Sequence, residues 1–143
     1  MKKVVLILAL VIISASSSFA SISVRAGLSG GAFKVAGAAD RQLNDRFNIS
    51  GELGYGIGNQ YSVLVGGGSI YTYLRDVIYA GIGACYSSYS ETVSLSFPTM
   101  DVTTKSGVGI NAFLGMTRDK LYGQVGYDTR LGAVAEAGYL VRM

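Results

Sequence analysis

Phe47-Asn48-Ile49-Ser50-Gly51-Glu52-Leu53-Gly54-Tyr55-Gly56-Ile57 alternates without a break. Phe47, Ile49, Gly51, Leu53, Tyr55 and Ile57 oppose Asn48, Ser50, Glu52, Gly54 and Gly56. A period of two sends successive side chains to opposite faces of a β-strand, so this stretch has one apolar face and one polar or small face. The same period recurs outward from it. Upstream, Ile22, Val24, Ala26 and Leu28 oppose Ser23, Arg25, Gly27 and Ser29. Downstream, Tyr61, Val63 and Val65 open a strand that runs through Gly66-Gly67-Gly68 toward Tyr73. Ile78, Ala80, Ile82, Ala84 and Tyr86 then oppose Tyr79, Gly81, Gly83, Cys85 and Ser87, and Val108 to Met116 and Leu121 to Tyr127 repeat the pattern on either side of a tight turn, Arg118-Asp119-Lys120. Last, Ala133, Ala135, Ala137, Tyr139, Val141 and Met143 oppose Gly132, Glu136, Gly138 and Arg142.

Composition agrees with an all-β chain. Among 143 residues there are 20 Gly, 10 Tyr and a single proline, Pro98, with no heptad repeat. There is no His and one Cys, which excludes a zinc-ligand set, a Ser/His or Cys/His catalytic pair and an internal disulfide. The expectation is no metal, no cofactor and no catalytic residue.

The first twenty residues read as a cleaved secretory signal. Met1-Lys2-Lys3 is a positive start, Val4 to Ile13 an unbroken apolar run, and small residues lead to Ala20, after which cleavage is expected. Ten apolar residues are too few to cross a bilayer core of ~30 Å as a helix. Two of the twelve Lys and Arg precede Ala20 while all nine Asp and Glu follow it, so the remaining 123 residues carry a net +1. With no Lys/Arg-rich run left, nucleic-acid binding has no electrostatic footprint.

Alternation alone also suits a soluble sandwich. Three features favour a membrane barrel. The strands run about 10 to 14 residues, near the ~9–11 that cross a membrane obliquely and beyond the ~5–6 of globular sheets. The polar faces hold mainly Gly, Ser, Asn and isolated charges. The apolar faces carry aromatics toward their ends: Phe47, Tyr55, Tyr61, Tyr86, Tyr127 and Tyr139. Phe47 and Tyr55, at ~3.4 Å per residue and a tilt of ~40°, sit roughly 20 Å apart along the axis, close to the separation of two aromatic girdles. In a closed barrel the apolar face meets lipid, so Arg25, Glu52, Gln124, Asp128, Glu136 and Arg142 should point inward.

In these features the chain resembles the small, eight-stranded, up-and-down β-barrel proteins of bacterial outer membranes. The end, Glu136-Ala137-Gly138-Tyr139-Leu140-Val141-Arg142-Met143, is similar to the signal read by the barrel-assembly machinery, though it finishes on Met143 where an aromatic is usual. The resemblance implies an outer-membrane location, membrane lipid as the surrounding partner and an even strand number. Seven strands are clear. The eighth could come from breaking 61–74 at its glycines, from a hairpin within 28–40, or from Thr92 to Phe97, which is favoured.

Barrel closure brings the first strand beside the last, so Arg25 should have Glu52 on one neighbouring strand and Glu136 on the other, and these with Arg142 form a structural charge cluster in the interior. Carboxylates neutralised by an arginine suit neither general-acid nor general-base work. Cys85, inward and without a neighbouring base, reads as an inert thiol. The polar stretches 34–45 and 87–105 are the expected long loops and the place for a surface partner. The functional expectation is a non-enzymatic membrane barrel with a structural or adhesion-like surface role. The alternatives are a narrow channel or a soluble secreted barrel that binds an apolar ligand.

Overall fold

The computed structural model describes residues 21–93 and 100–142. The expected signal segment, its cleavage after Ala20, and Met143 lie outside the described residues, as does the Arg142 side chain. Eight antiparallel strands follow one another: β1 (Ser21–Ser29), β2 (Ala32–Gln42), β3 (Asn48–Ile57), β4 (Tyr61–Arg75), β5 (Ile78–Val93), β6 (Met100–Arg118), β7 (Leu121–Asp128) and β8 (Gly132–Arg142). Each pairs with the next, and β1 pairs with β8, so the sheet closes on itself as an up-and-down barrel. Among the described residues no helix is long and apolar enough to cross a membrane; this says nothing of strands.

The eighth strand is not where the sequence pattern favoured it. Residues 32–42, expected as part of a loop over 34–45, form β2, paired with β1 through Ser29↔Ala32 and with β3 through Phe33↔Ile57. Thr92 and Val93 instead prolong β5, and residues 94–97 lie outside the described residues. A hairpin starting near Leu28 is therefore the source. Its turn is Gly30-Gly31, both at positive φ (57° and 83°), the conformation that a two-residue hairpin turn between right-twisted strands requires and that glycine adopts without penalty. The other expected loop, 87–105, is also mostly strand: β5 runs to Val93 and β6 begins at Met100.

The barrel is inside-out relative to a water-soluble protein. Val108 is 69% exposed and Ile82 and Ile110 are 67% exposed, while Lys34 is 3% and Glu136 6% exposed. Outward side chains include Val24, Leu28, Val35, Leu114, Val125 and Val141, distributed over five strands. Apolar surface on that scale, wrapped round the whole perimeter, is far beyond the patches that monomers expose to water and needs hydrocarbon around it.

One parity expectation fails. Tyr61 was expected on the lipid face together with Val63 and Val65; all three point inward. Val63 and Val65 are buried with Ala32, Cys85 and Leu131, and Tyr61 packs against that cluster. The outward residues of this half of β4 are Ser62, Leu64 and Gly66, so here the lumen is the more apolar side. Phe47, Tyr55, Tyr86, Tyr127 and Tyr139 are exposed, at 42% to 62%.

Candidate functional site

Two regions stand out: the packed lumen and the end of the barrel opposite the chain termini. The lumen is filled in layers. Its middle is an ion-pair network that draws on β1, β2, β3 and β8. Arg25 Nη1 donates to Glu52 Oε2 at 2.9 Å and Nη2 to Ser50 Oγ at 3.2 Å, and Nη2 lies 3.8 Å from Asp40 Oδ1. Lys34 Nζ pairs with both Glu52 and Glu136. Gln124 Nε2 donates to Glu136 Oε2 at 3.0 Å, and Tyr79 hydroxyl donates to Gln124 Oε1 at 3.2 Å. Arg25 also lies over the Tyr122 ring, 5.3 Å from its centroid, within cation–π range. Tyr122 hydroxyl in turn donates to Ser23 Oγ at 3.0 Å.

The pairing follows from register. Arg25 is level with Ala36 on β2, and Ala38 is level with Glu52 on β3, so the guanidinium reaches over small alanine side chains to the carboxylate. Gly138 and Gly115 make room for the tyrosines: a side chain at Gly138 would strike the Tyr122 ring, and one at Gly115 the Tyr79 ring. A buried ion costs several kcal/mol if left alone, so each charge here is held by opposite charges and neutral donors.

Toward the far end the lumen turns apolar, closed by Ala32, Val63, Val65, Cys85 and Leu131. Asp128 organises this end. Its Oδ1 accepts from the backbone N–H of Arg130 at 2.8 Å and Leu131 at 3.0 Å, pinning the β7–β8 turn so that Leu131 drops into the barrel. The Cys85 thiol donates to Asp128 Oδ2 at 3.0 Å, and Cys85 is buried. The cavities left among these layers are separate: about 270 Å³ at the terminus end and about 60 Å³ beside Lys34 and Cys85. Among the described residues no cluster of three or more His, Cys, Asp or Glu is arranged to hold a metal.

At the far end three connections are tight: Gly30-Gly31, 58–60 and 129–131. The β5–β6 hairpin is different. β4 flanks β5 as far as Glu91, opposite Tyr61. β7 flanks β6 only from Asn111, opposite Asp128, with the Thr129 N–H and hydroxyl continuing the contact to Ile110. Among the described residues, Met100 to Gly109 therefore present a strand edge on the β7 side with no strand beside it, ten residues or ~34 Å at ~3.4 Å each. Beside that edge is an open notch of about 430 Å³ lined by Tyr61, Tyr89, Glu91, Lys105, Thr129 and Arg130. The Tyr61 and Tyr89 rings pack there tilted by 44°, centroids 5.9 Å apart, and the Tyr61 hydroxyl donates to the Gly30 carbonyl at 2.9 Å.

Of the residues singled out in the sequence, Arg25 pairs directly with Glu52, which lies not on the adjacent strand, as expected, but beyond β2, and Lys34 joins Glu52 to Glu136. Arg142 is placed only by its backbone, opposite Ile22. Sequence reasoning missed Lys34 and Asp40, because both lay in a presumed loop. The signal for Lys34 was its flanking pair, Phe33 and Val35, which together put an isolated charge on the inward face.

No family model matches the chain, and no curated protein matches it. Solved structures do. The N-terminal β-barrel domain of Pseudomonas aeruginosa OprF aligns with a TM-score of 0.56 at 10% identity, over 84% of this chain and 95% of that one. The Yersinia pestis outer membrane protein Ail in a phospholipid bilayer nanodisc gives 0.55 at 9% identity, over 85% and 99%. Neisserial surface protein A gives 0.53 at 14% identity, over 86% and 94%. At such identities the likeness is one of architecture, and it spans nearly the whole of each partner. This chain has the closed, eight-stranded antiparallel fold of the small bacterial outer-membrane β-barrels.

Proposed function

We propose that this chain is an integral protein of a bacterial outer membrane, exported through residues 1–20, with a non-enzymatic role in surface interaction carried by the β5–β6 hairpin. The observation that carries the reading is the β6 edge from Met100 to Gly109, which no strand flanks among the described residues. A free strand edge is a row of unpaired backbone donors and acceptors, the template on which an extended segment of a partner adds as a further strand. The neighbouring notch, with Tyr61, Tyr89, Lys105 and Arg130, offers aromatic and cationic contacts for that partner's side chains. The wrapped apolar exterior supports residence in lipid, and two structural relatives are described as an outer membrane protein and a surface protein.

A narrow channel has the ion-pair layer and the apolar cluster stacked in its path. A soluble ligand-binding barrel would carry its apolar face inside. Catalysis has carboxylates engaged by Arg25 and Lys34 and a thiol bonded to Asp128.

The test uses Lys105→Cys, with Cys85 buried, in cells expressing the full precursor. A membrane-impermeant maleimide should label intact cells at that position. Replacing residues 92–103 by Asn-Gly should abolish attachment of those cells to protein-coated surfaces while leaving the barrel folded. Labelling only after lysis, or attachment unchanged by the replacement, would overturn the proposal.

A further inference from the structure

The terminus end of the lumen is an open vestibule, remote from the hairpin and untouched by the role proposed for it. Its volume is about 270 Å³, near the lower end of the ~300–1,000 Å³ of small-molecule sites. Its two walls differ in chemistry. One is aromatic: Tyr71 and Tyr73 of β4, Tyr79 of β5 and Phe113 of β6, with neighbouring rings 5.5 to 6.2 Å apart at tilted or edge angles. The other is polar: Arg25, Asp40, Gln42, Asn48 and Ser50 of β1 to β3.

Filling the lumen does not account for this wall. Elsewhere the inward positions of β5 and β6 are mostly Gly, Ser, Cys and Asn, whereas here four aromatic rings converge. Tyr73 points inward yet remains 45% exposed, so it leaves ring surface open to the vestibule. Arg25, at the vestibule's floor, is 8% exposed and its Nε has no hydrogen-bond partner among the described residues. An aromatic face opposite a row of amide, carboxylate and guanidinium groups matches a ligand that is apolar on its flat faces and hydroxylated round its edge. The negative face of a tyrosine attracts polarised C–H groups, while the facing polar side chains take up hydroxyls.

We propose that the vestibule binds a neutral sugar ring. In an even-stranded barrel with its termini on the periplasmic side, it opens toward the periplasm, where the ring would be a free sugar or the end of a glycan.

The experiment uses the folded barrel in lipid nanodiscs, because detergents with sugar head groups would compete. Glucose, N-acetylglucosamine, cellotetraose and chitotetraose are titrated by calorimetry. The expected result is saturable binding of at least one probe. Tyr73→Ala should weaken it by about tenfold, Asn48→Ala should weaken it several-fold, and Tyr127→Ala on the outer face should leave it unchanged. Equal affinity for monomer and tetramer assigns a free sugar; tighter binding of a tetramer assigns a glycan. Heat-dependent gel mobility of each variant establishes that it is folded. No saturable binding at high millimolar concentration, or binding indifferent to both Tyr73→Ala and Asn48→Ala in folded protein, would overturn the proposal.

Discussion

Arg25 on β1 reaches over β2 to Glu52 on β3, its Nη1 2.9 Å from Oε2, and both side chains are largely shielded inside the barrel. Lys34 stands beside that pair and joins Glu52 to Glu136 across the seam where β1 meets β8. Lys34→Ala would leave Glu52 with Arg25 and take from Glu136 the cation it pairs with. The expected loss is about 3–5 kcal/mol, the cost of breaking a buried pair by removing one partner. Urea unfolding in lipid vesicles measures it. Adding Glu52→Gln and Glu136→Gln should return most of the loss, whereas a loss that persists would place Lys34's contribution in its packing.

Val125 lies at the middle of β7, the shortest strand, and is 59% exposed. If lipid surrounds it, Val125→Arg should destabilise by ~2–4 kcal/mol, the figure for arginine near the bilayer midplane. In water the same substitution would stay within about 0.5 kcal/mol. The two environments are thus separated by one unfolding curve.

Gly138 on β8 is held small by the Tyr122 ring. Gly138→Val should cost about 1–3 kcal/mol through overpacking. The cost should shrink when Tyr122→Ala is added, giving a favourable coupling energy in a double-mutant cycle. Additive effects would mean that the two positions do not meet.

Cys85 is 5% exposed, with its thiol bonded to Asp128. A small maleimide should leave it unlabelled in the folded barrel and modify it once the protein is boiled in SDS. Rapid labelling of folded protein would show the lumen open to that depth.

How far the sequence could be read depended on the contrast between the two faces of each strand. Around Leu53 and around Leu114 one face is apolar and the other small or polar, and the strands lie where the alternation put them. β2 was missed because, beyond Val35, its outward Gly37, Ala39 and Arg41 and its inward Ala36, Ala38 and Asp40 barely differ in polarity. Tyr61 was assigned to lipid by a rule that equates apolar with outward. That rule fails where the lumen itself is sealed by Val63, Val65 and Leu131. Closure of the barrel alone brings Arg25's strand beside that of Glu136, whereas Glu52 lies one strand further round than the pattern implied, because β2 intervenes. Lys34, Asp40 and the tyrosine wall could not be gathered from closure, since they depend on the placement of β2 and on the register of β4 against β5.

The central claim is a closed barrel whose outside faces lipid. The measurement that tests it most directly is the mobility in SDS gels of the membrane fraction from cells expressing the full precursor, loaded with and without boiling. The account predicts a protein that leaves the membrane only with detergent and runs at different positions before and after heating, because the closed hydrogen-bonded sheet resists SDS until it is melted. A protein released without detergent, with one mobility in both lanes, would contradict it.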